Sequence, residues 1–309
     1  MGTPEFAIPS LEKLLHSNHK VVLVVSAPDK ERGRGKKVSP TPVKEFALKN
    51  NLEVLTPDSL KDTVFIDRLK EVEADLFVIV AFRILPKEVY TIPKFGSFNL
   101  HGSLLPKYRG AAPMQWAIIN GDKETGVTTF FLEDKVDTGN IILSNRITIN
   151  DDDNLGTLYD KMMILGADVV LKTVDLISDG NYLLKKQDDS TASPAPKITK
   201  GICRINWNKN AVEIHNLVRG LSPHPAAFFE LKGKIFKIYK TKLLGNENLD
   251  DNDKLVNAGE QLSIDRIRQF KDEIYIQTGN GILQILELQP EGRKRMTAEE
   301  FLRGYSLIN

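Results

Sequence analysis

The chain of 309 residues is long enough for two domains at roughly 100 to 200 residues each, and 41% hydrophobic with 27% charged residues is an ordinary globular balance that excludes disordered and collagenous classes. No apolar run reaches the about 18 residues of a membrane span, and the opening Met1-Gly2-Thr3-Pro4-Glu5 lacks the pattern of a secretory signal, so a cytoplasmic protein with no membrane partner is expected. The single cysteine, Cys203, excludes an internal disulfide, the five histidines show no close metal-ligand spacing, and metal-free catalysis is expected, whereas a net charge of +1 excludes nothing because polyanions are bound by local clusters.

In chain order, Ile8, Leu11, Leu14 and Leu15 recur at helical spacing between Ala7 and His16, with Pro9 suited to a first turn. Only Met1 precedes the Gly2-Thr3-Pro4 turn, although a doubly wound sheet opens with a strand; the expectation is a chain that starts several residues upstream, or a truncated one. Val21 to Val25 reads as a buried strand ending at Ala27-Pro28-Asp29. Phe46 to Leu48 and Val64 to Leu69 suggest helices flanking a short strand at Leu52 to Leu55. Further strands are expected at Leu76 to Ala81 and Phe95 to His101, then a helix at Ala111 to Ile119. Strands at Thr128 to Leu132 and Ile141 to Ile149 precede a long helix from Leu155 to Ile177. This alternation predicts an α/β fold with a doubly wound, mainly parallel sheet over residues 1–186.

After residue 186 the run Gln187-Asp188-Asp189-Ser190-Thr191-Ala192-Ser193-Pro194 is polar and proline-bearing, which predicts a linker over 187–204. A second domain is expected over 205–309: a helical pattern from Trp207 to Arg219, then short strands at Ala226 to Leu231, Ile235 to Tyr239, Ile274 to Gln277 and Ile282 to Leu288. Short strands with glycine turns predict a small OB-like β-barrel. Basic residues cluster twice, at Lys30, Arg32, Arg34, Lys36 and Lys37 and at Lys232, Lys234, Lys237, Lys240 and Lys242. Composition leaves open whether each cluster is a solvated surface or a polyanion contact.

Asn99 and His101 end a predicted strand, and a period of two puts both side chains on one face. Ligands of doubly wound sheets bind outside that end. A small-residue loop follows, Ser103-Leu104-Leu105-Pro106-Lys107-Tyr108-Arg109-Gly110-Ala111-Ala112-Pro113, which a ligand could approach closely. Asp137-Thr138-Gly139 closes the segment that starts at Gly126; by itself, such an aspartate is more often a turn former. No G-x-G-x-x-G follows an early strand, which argues against a dinucleotide site.

Taken together, Asn99-x-His101, the loop Ser103 to Pro113 and the run Gly126 to Ile142 closely resemble the formyltransferase family that uses 10-formyltetrahydrofolate. The resemblance implies a catalytic set of Asn99, His101 and Asp137, with folate held at Ser103, Leu104, Leu105 and Pro106 and no metal. Leu132 departs from the family's smaller residue or methionine, a conservative apolar change. The opening Gly2 to Ala7, the loop Ala27 to Lys44 and the run Leu288 to Met296 look like the branch that formylates methionyl-tRNA, so the resemblance covers nearly the whole chain. It implies initiator methionyl-tRNA as partner, acceptor-stem contacts from Arg34, Lys36 and Lys37, Phe6 near the methionine side chain, a second domain that also touches tRNA, and a monomer. The rival expectations are a sugar-nucleotide formyltransferase, which would not need the basic loop, and a non-catalytic RNA-binding protein.

Overall fold

The computed structural model describes residues 1–32, 37–244 and 262–308. The chain forms two compact units. Unit 1 gathers Met1–Pro113, Glu124–Thr148 and Tyr159–Pro196; unit 2 gathers Met114–Lys123, Ile149–Leu158 and Lys197–Asn309.

Unit 1 opens with α1 (Ile8–Leu15), whose first turn holds Pro9, where a missing N–H costs no helical bond. Next come β1 (Val24–Val25), the antiparallel pair β2 (Lys30–Arg32) and β3 (Lys37–Ser39), and α2 (Pro42–Lys49), whose first free N–H groups include that of Lys44, capped by the Thr41 hydroxyl. The strand β4 (Val54–Leu55) pairs parallel with β1, and Asp62 caps α3 (Thr63–Glu71). Then follow β5 (Phe77–Val80), α4 (Lys87–Tyr90), β6 (Ser97–His101), β7 (Arg109–Gly110) and α5 (Pro113–Ile119), most of the last grouped with unit 2. The strands β8 (Glu124–Phe131) and β9 (Ile141–Thr148) are followed by α6 (Leu155–Ser178) and β10 (Pro194–Ala195), which pairs parallel with β7.

The main ladder runs β5-β6-β8-β9, parallel at β5/β6 and antiparallel at the other two junctions. Its apolar, β-branched strands belong in an interior covered on both faces: Phe77, Ile79, Phe98, Leu100 and Phe130 are all buried. Met1 and Gly2 join it to the β1/β4 pair. The Met1 amine donates to the Val78 carbonyl at 2.6 Å, Val80 N–H to the Met1 carbonyl at 2.9 Å, and Gly2 N–H to the Val25 carbonyl at 3.0 Å. Burial pushes that amine down to about 5. The expected strand over Val21 to Val25 is realised as a ladder only at Val24 and Val25, which face Val54 and Leu55; Val21, Val22 and Leu23 instead line a cavity of about 360 Å³ shared with Leu76 and Val78. The hairpin β2/β3 and the short α4 were not expected, since neither has enough apolar residues to show a period.

Unit 2 holds α7 (Ala211–Leu221), set by a capping box of Asn210 and Glu213, and the strands β11 (Ala227–Leu231), β12 (Lys234–Leu243), β13 (Ile267–Phe270), β14 (Glu273–Gln277), β15 (Ile282–Pro290) and β16 (Met296–Thr297), then α8 (Ala298–Leu302). The strands are antiparallel in the order β11-β12-β15-β14-β13, with β16 on β15. Alternation sets their faces: Ile274 and Ile276 of β14 are buried with Leu283 and Ile285 of β15, and Trp207 and Phe301 complete that core. Arg219 is also buried here, its Nε donating to Asn216 Oδ1 at 2.9 Å and its Nη1 to the carbonyls of Asn150 and Asp153 at 3.2 and 3.1 Å. Among the described residues no helix is long and apolar enough to cross a membrane.

Candidate active site

The strand β6 delivers two of the expected residues to one place. Phe98 and Leu100 point into the buried layer, so Asn99 and His101 share the opposite face, level with Phe130 and Thr128 of β8. His101 is 6% exposed. Its Nε2 lies 2.8 Å from the Tyr108 carbonyl. A carbonyl only accepts, so Nε2 carries the proton and the other nitrogen, Nδ1, is the one left for chemistry. Nδ1 stands 3.8 Å from Asp137 Oδ2, within ion-pair range and beyond a direct hydrogen bond.

Asp137 comes from the turn after β8, where its φ of 57° is one that aspartate tolerates better than most residues. The Gly110 N–H donates to Oδ2 at 2.9 Å, and the carboxylate is 12% exposed on the side-chain scale. Two positions on, Gly139 has no room for a side chain: a Cβ there would lie 1.7 Å from the Phe131 carbonyl oxygen. Asn99 and Asp137 line one cavity of about 300 Å³, whose other walls include Phe82, Ile84, Leu85, Leu132 and Val136. The Asn99 amide has no partner among the described residues. At the rim, Tyr90 O–H donates to Asp134 Oδ1 at 2.6 Å and Lys87 Nζ to Oδ2 at 3.2 Å. The Tyr90 bond, then the Lys87 bond and charge, hold the Asp134 carboxyl below its ordinary range, while the same carboxylate pushes Tyr90 up to about 12.

The remaining expected residues take other places. Ser103 is buried, its hydroxyl donating to the Lys107 carbonyl at 2.6 Å, so it closes a turn rather than facing the cavity. Leu104 abuts the spot where a side chain on Gly126 would stand. Leu105 packs with Phe130 and Ile141, a cluster against which the cavity residue Leu132 also packs. The Pro106 carbonyl accepts from Ser193 N–H at 3.4 Å. Phe6, 5% exposed, sets its ring edge-on to Tyr159 at 5.1 Å between centroids. Arg34 and Lys36 lie outside the described residues, as does the side chain of Lys37.

Sequence reasoning missed the groups that brace the site. Thr128 Oγ1 donates to the Ser103 carbonyl at 2.7 Å and accepts from Leu105 N–H at 3.1 Å. Gln187 Nε2 donates to the carbonyls of Asp137 and Gly139. A threonine in a strand and a glutamine in a polar stretch carry no periodic signal that would have marked them.

An unbonded amide, an imidazole with one nitrogen left over and a carboxylate beside it meet at the end of the sheet, an arrangement able to serve group transfer at a carbonyl carbon. Comparison with known proteins narrows that class. Residues 1–174 match the family described as formyl transferase and residues 197–306 the one described as formyl transferase, C-terminal domain. The methionyl-tRNA formyltransferase of Flavobacterium johnsoniae is 47% identical over 98% of this chain and 94% of its own, and that of Bacteroides thetaiotaomicron is 43% identical over 99% and 95%. Among solved structures, WlaRD, a sugar 3N-formyl transferase crystallised in the presence of dTDP and 5-N-formyl-THF, superposes with a TM-score of 0.67 at 24% identity, covering 95% of this chain and 97% of that one; at that identity the likeness speaks for the fold. The chain belongs to the formyl transferase family.

Proposed function

We propose that this protein transfers the formyl group of 10-formyltetrahydrofolate to the α-amino group of methionyl-tRNA, with the initiator as its partner. The observation that carries the reading is the arrival of Asn99 and Asp137 at one cavity with the His101 imidazole beside Asp137, in a chain 41% to 47% identical to methionyl-tRNA formyltransferases over nearly its full length.

The donor fits the cavity on chemical grounds: apolar walls from Phe82, Leu85 and Leu132 suit a flat ring, and Asn99 offers an unpaired amide. Ser103, Leu104, Leu105 and Pro106 are assigned to the folate, Leu105 from the cluster on which Leu132 packs. When bound, the folate supplies a formyl carbon on a nitrogen leaving group. The transfer forms one C–N bond to the amine and breaks one to the folate, and the proton the amine loses ends on that leaving nitrogen. Asn99 donates to the oxygen on which negative charge grows, a contact set before the charge appears. His101, anchored through Nε2 on the Tyr108 carbonyl, holds or passes a proton at Nδ1. Asp137 keeps the imidazole beside the reacting atoms and stands within reach of the incoming amine. Arg34, Lys36 and Lys37 are assigned to the acceptor stem and Phe6 to the methionine side chain. Unit 2 adds a basic strand, with Lys234, Lys240 and Lys242 exposed on β12.

The test is a formylation assay with one formyl donor and three acceptors: initiator methionyl-tRNA, elongator methionyl-tRNA and an amino-sugar nucleotide. Formylation of the initiator above both others is expected. Turnover of the sugar nucleotide alone would replace the reading with the sugar-acting one, and no turnover with any acceptor would leave RNA binding without catalysis.

A further inference from the structure

Gln187 opens the polar stretch that follows the long helix of the first domain, yet it is only 7% exposed. Its Nε2 donates to the Asp137 carbonyl at 2.9 Å and to the Gly139 carbonyl at 2.8 Å. Its Oε1 accepts from Arg109 Nε at 3.0 Å and Nη2 at 2.8 Å, and Nη2 also reaches Asp189 Oδ1 at 2.7 Å. The orientation of the amide is therefore fixed from both ends, because carbonyls only accept and a guanidinium only donates.

These bonds fall on a turn with little freedom of its own. Asp137 sits at positive φ, and Gly139 presses so closely on the Phe131 carbonyl that no other residue fits. The direction of the Asp137 carboxylate follows from that backbone, and the Gly110 N–H fixes its outer end from the strand that carries Arg109. Gly110 thus holds the carboxylate end of Asp137 and Gln187 its backbone end, with Arg109 orienting Gln187. Loss of the two N–H donors leaves two inward-facing carbonyls without partners, and the turn has to shift to rehydrate them.

We propose that Gln187, oriented by Arg109, is a positioning residue for formyl transfer that acts through Asp137. The proposal rests on the reading of Asp137 and His101 as the working pair. Small displacements matter here: about 1 Å of misplacement remote from the reacting atoms can cost roughly 100-fold in rate.

The test is steady-state formylation of methionyl-tRNA by the full chain carrying Gln187→Glu, Asp137→Asn or both. The Gln187→Glu change keeps the volume and the acceptor for Arg109 and removes both donors to the turn. A kcat lowered by at least about tenfold, with KM for donor and tRNA within about threefold of the parent, is expected, since an interaction that shapes the transition state is lost while substrate contacts stay. In the Asp137→Asn background the same change should remove less than about twofold more, the non-additivity of two residues acting as one unit. Gln187→Met, read alongside melting curves, serves where the charged variant unfolds. A kcat within about twofold of the parent in the folded variant, or the full factor repeated in the Asp137→Asn background, overturns the proposal and leaves Gln187 a packing residue. Parental kcat in Asp137→Asn alone is a different failure: it sinks the pair reading and takes the proposal with it.

Discussion

On the face of β6 that carries Asn99, Ser97 and His101 are both engaged, the first through its hydroxyl on the Tyr90 carbonyl at 2.7 Å and the second through Nε2 on the Tyr108 carbonyl at 2.8 Å. Asn99, between them on the same face, has no such bond among the described residues, which leaves its half-buried amide able to donate to a bound ligand. Its removal should therefore cost chemistry and spare the fold. Asn99→Ala is expected to lower kcat by about 100- to 1000-fold, equivalent to roughly 2.7–4 kcal/mol of barrier, with the melting temperature close to that of the parent. Single-turnover formylation and a thermal melt of the same preparation check both halves. A kcat within several-fold of the parent would take Asn99 out of the reaction.

Elements explain why the site holds together and why only part of it was legible. The strand β6 could be read because alternation alone puts Asn99 and His101 on one face at a strand end. Asp137 could not be read that way: its turn has no period, and only the likeness of Gly126 to Ile142 to a family pattern singled it out. Gln187 was read as part of a linker because a buried amide in a polar run looks like any exposed one until its carbonyl partners are in view. The strand at Val21 to Val25 was read too long for a related reason, since a ladder needs a neighbour and β4 offers only Val54 and Leu55. Thr128 ties these elements together, joining β8 to the loop after β6 with one donated and one accepted bond in a fully buried setting. Thr128→Val keeps the shape and deletes the hydroxyl, leaving the Ser103 carbonyl and the Leu105 N–H unpaired. A loss of about 1–3 kcal/mol is expected from urea unfolding, because buried groups left without partners lose their full hydration. A change under about 0.5 kcal/mol would mean that the loop closes by other bonds.

For the whole molecule, a net charge of +1 cannot draw a polyanion, so tRNA affinity has to come from local clusters. Arg34→Glu should raise KM for tRNA several-fold while kcat at saturation holds, and should lower the slope of log KM against log salt by about 1 for the lost phosphate contact. An unchanged slope would return the loop to ordinary surface. Acid stability is a separate property, and one histidine of unit 2 should show in it. Burial, then the nearby Arg219 charge, push His215 from 6.5 down to about 4, against a weaker pull from Asp151; its Nδ1 lies 2.8 Å from the Thr241 hydroxyl. A folded pKa below the unfolded one means that the unfolded chain takes up the proton first. The contribution is therefore complete above about 6.5, declines as the pH falls, and is gone below about 4. A shift from 6.5 to about 4 corresponds to an upper bound of roughly 3 to 4 kcal/mol at 1.36 kcal/mol per pH unit, and to less once solvent screening of the partly exposed ring is counted. Other carboxylates titrate over the same range, so the informative quantity is a difference: His215→Gln, which keeps a neutral partner for Thr241, should lose less stability than the parent between pH 7 and pH 4.5. Equal losses in urea unfolding at the two pH values would show that the imidazole can be protonated in the folded unit without cost, and that its packing from α7 against β12 is looser than the structure has it.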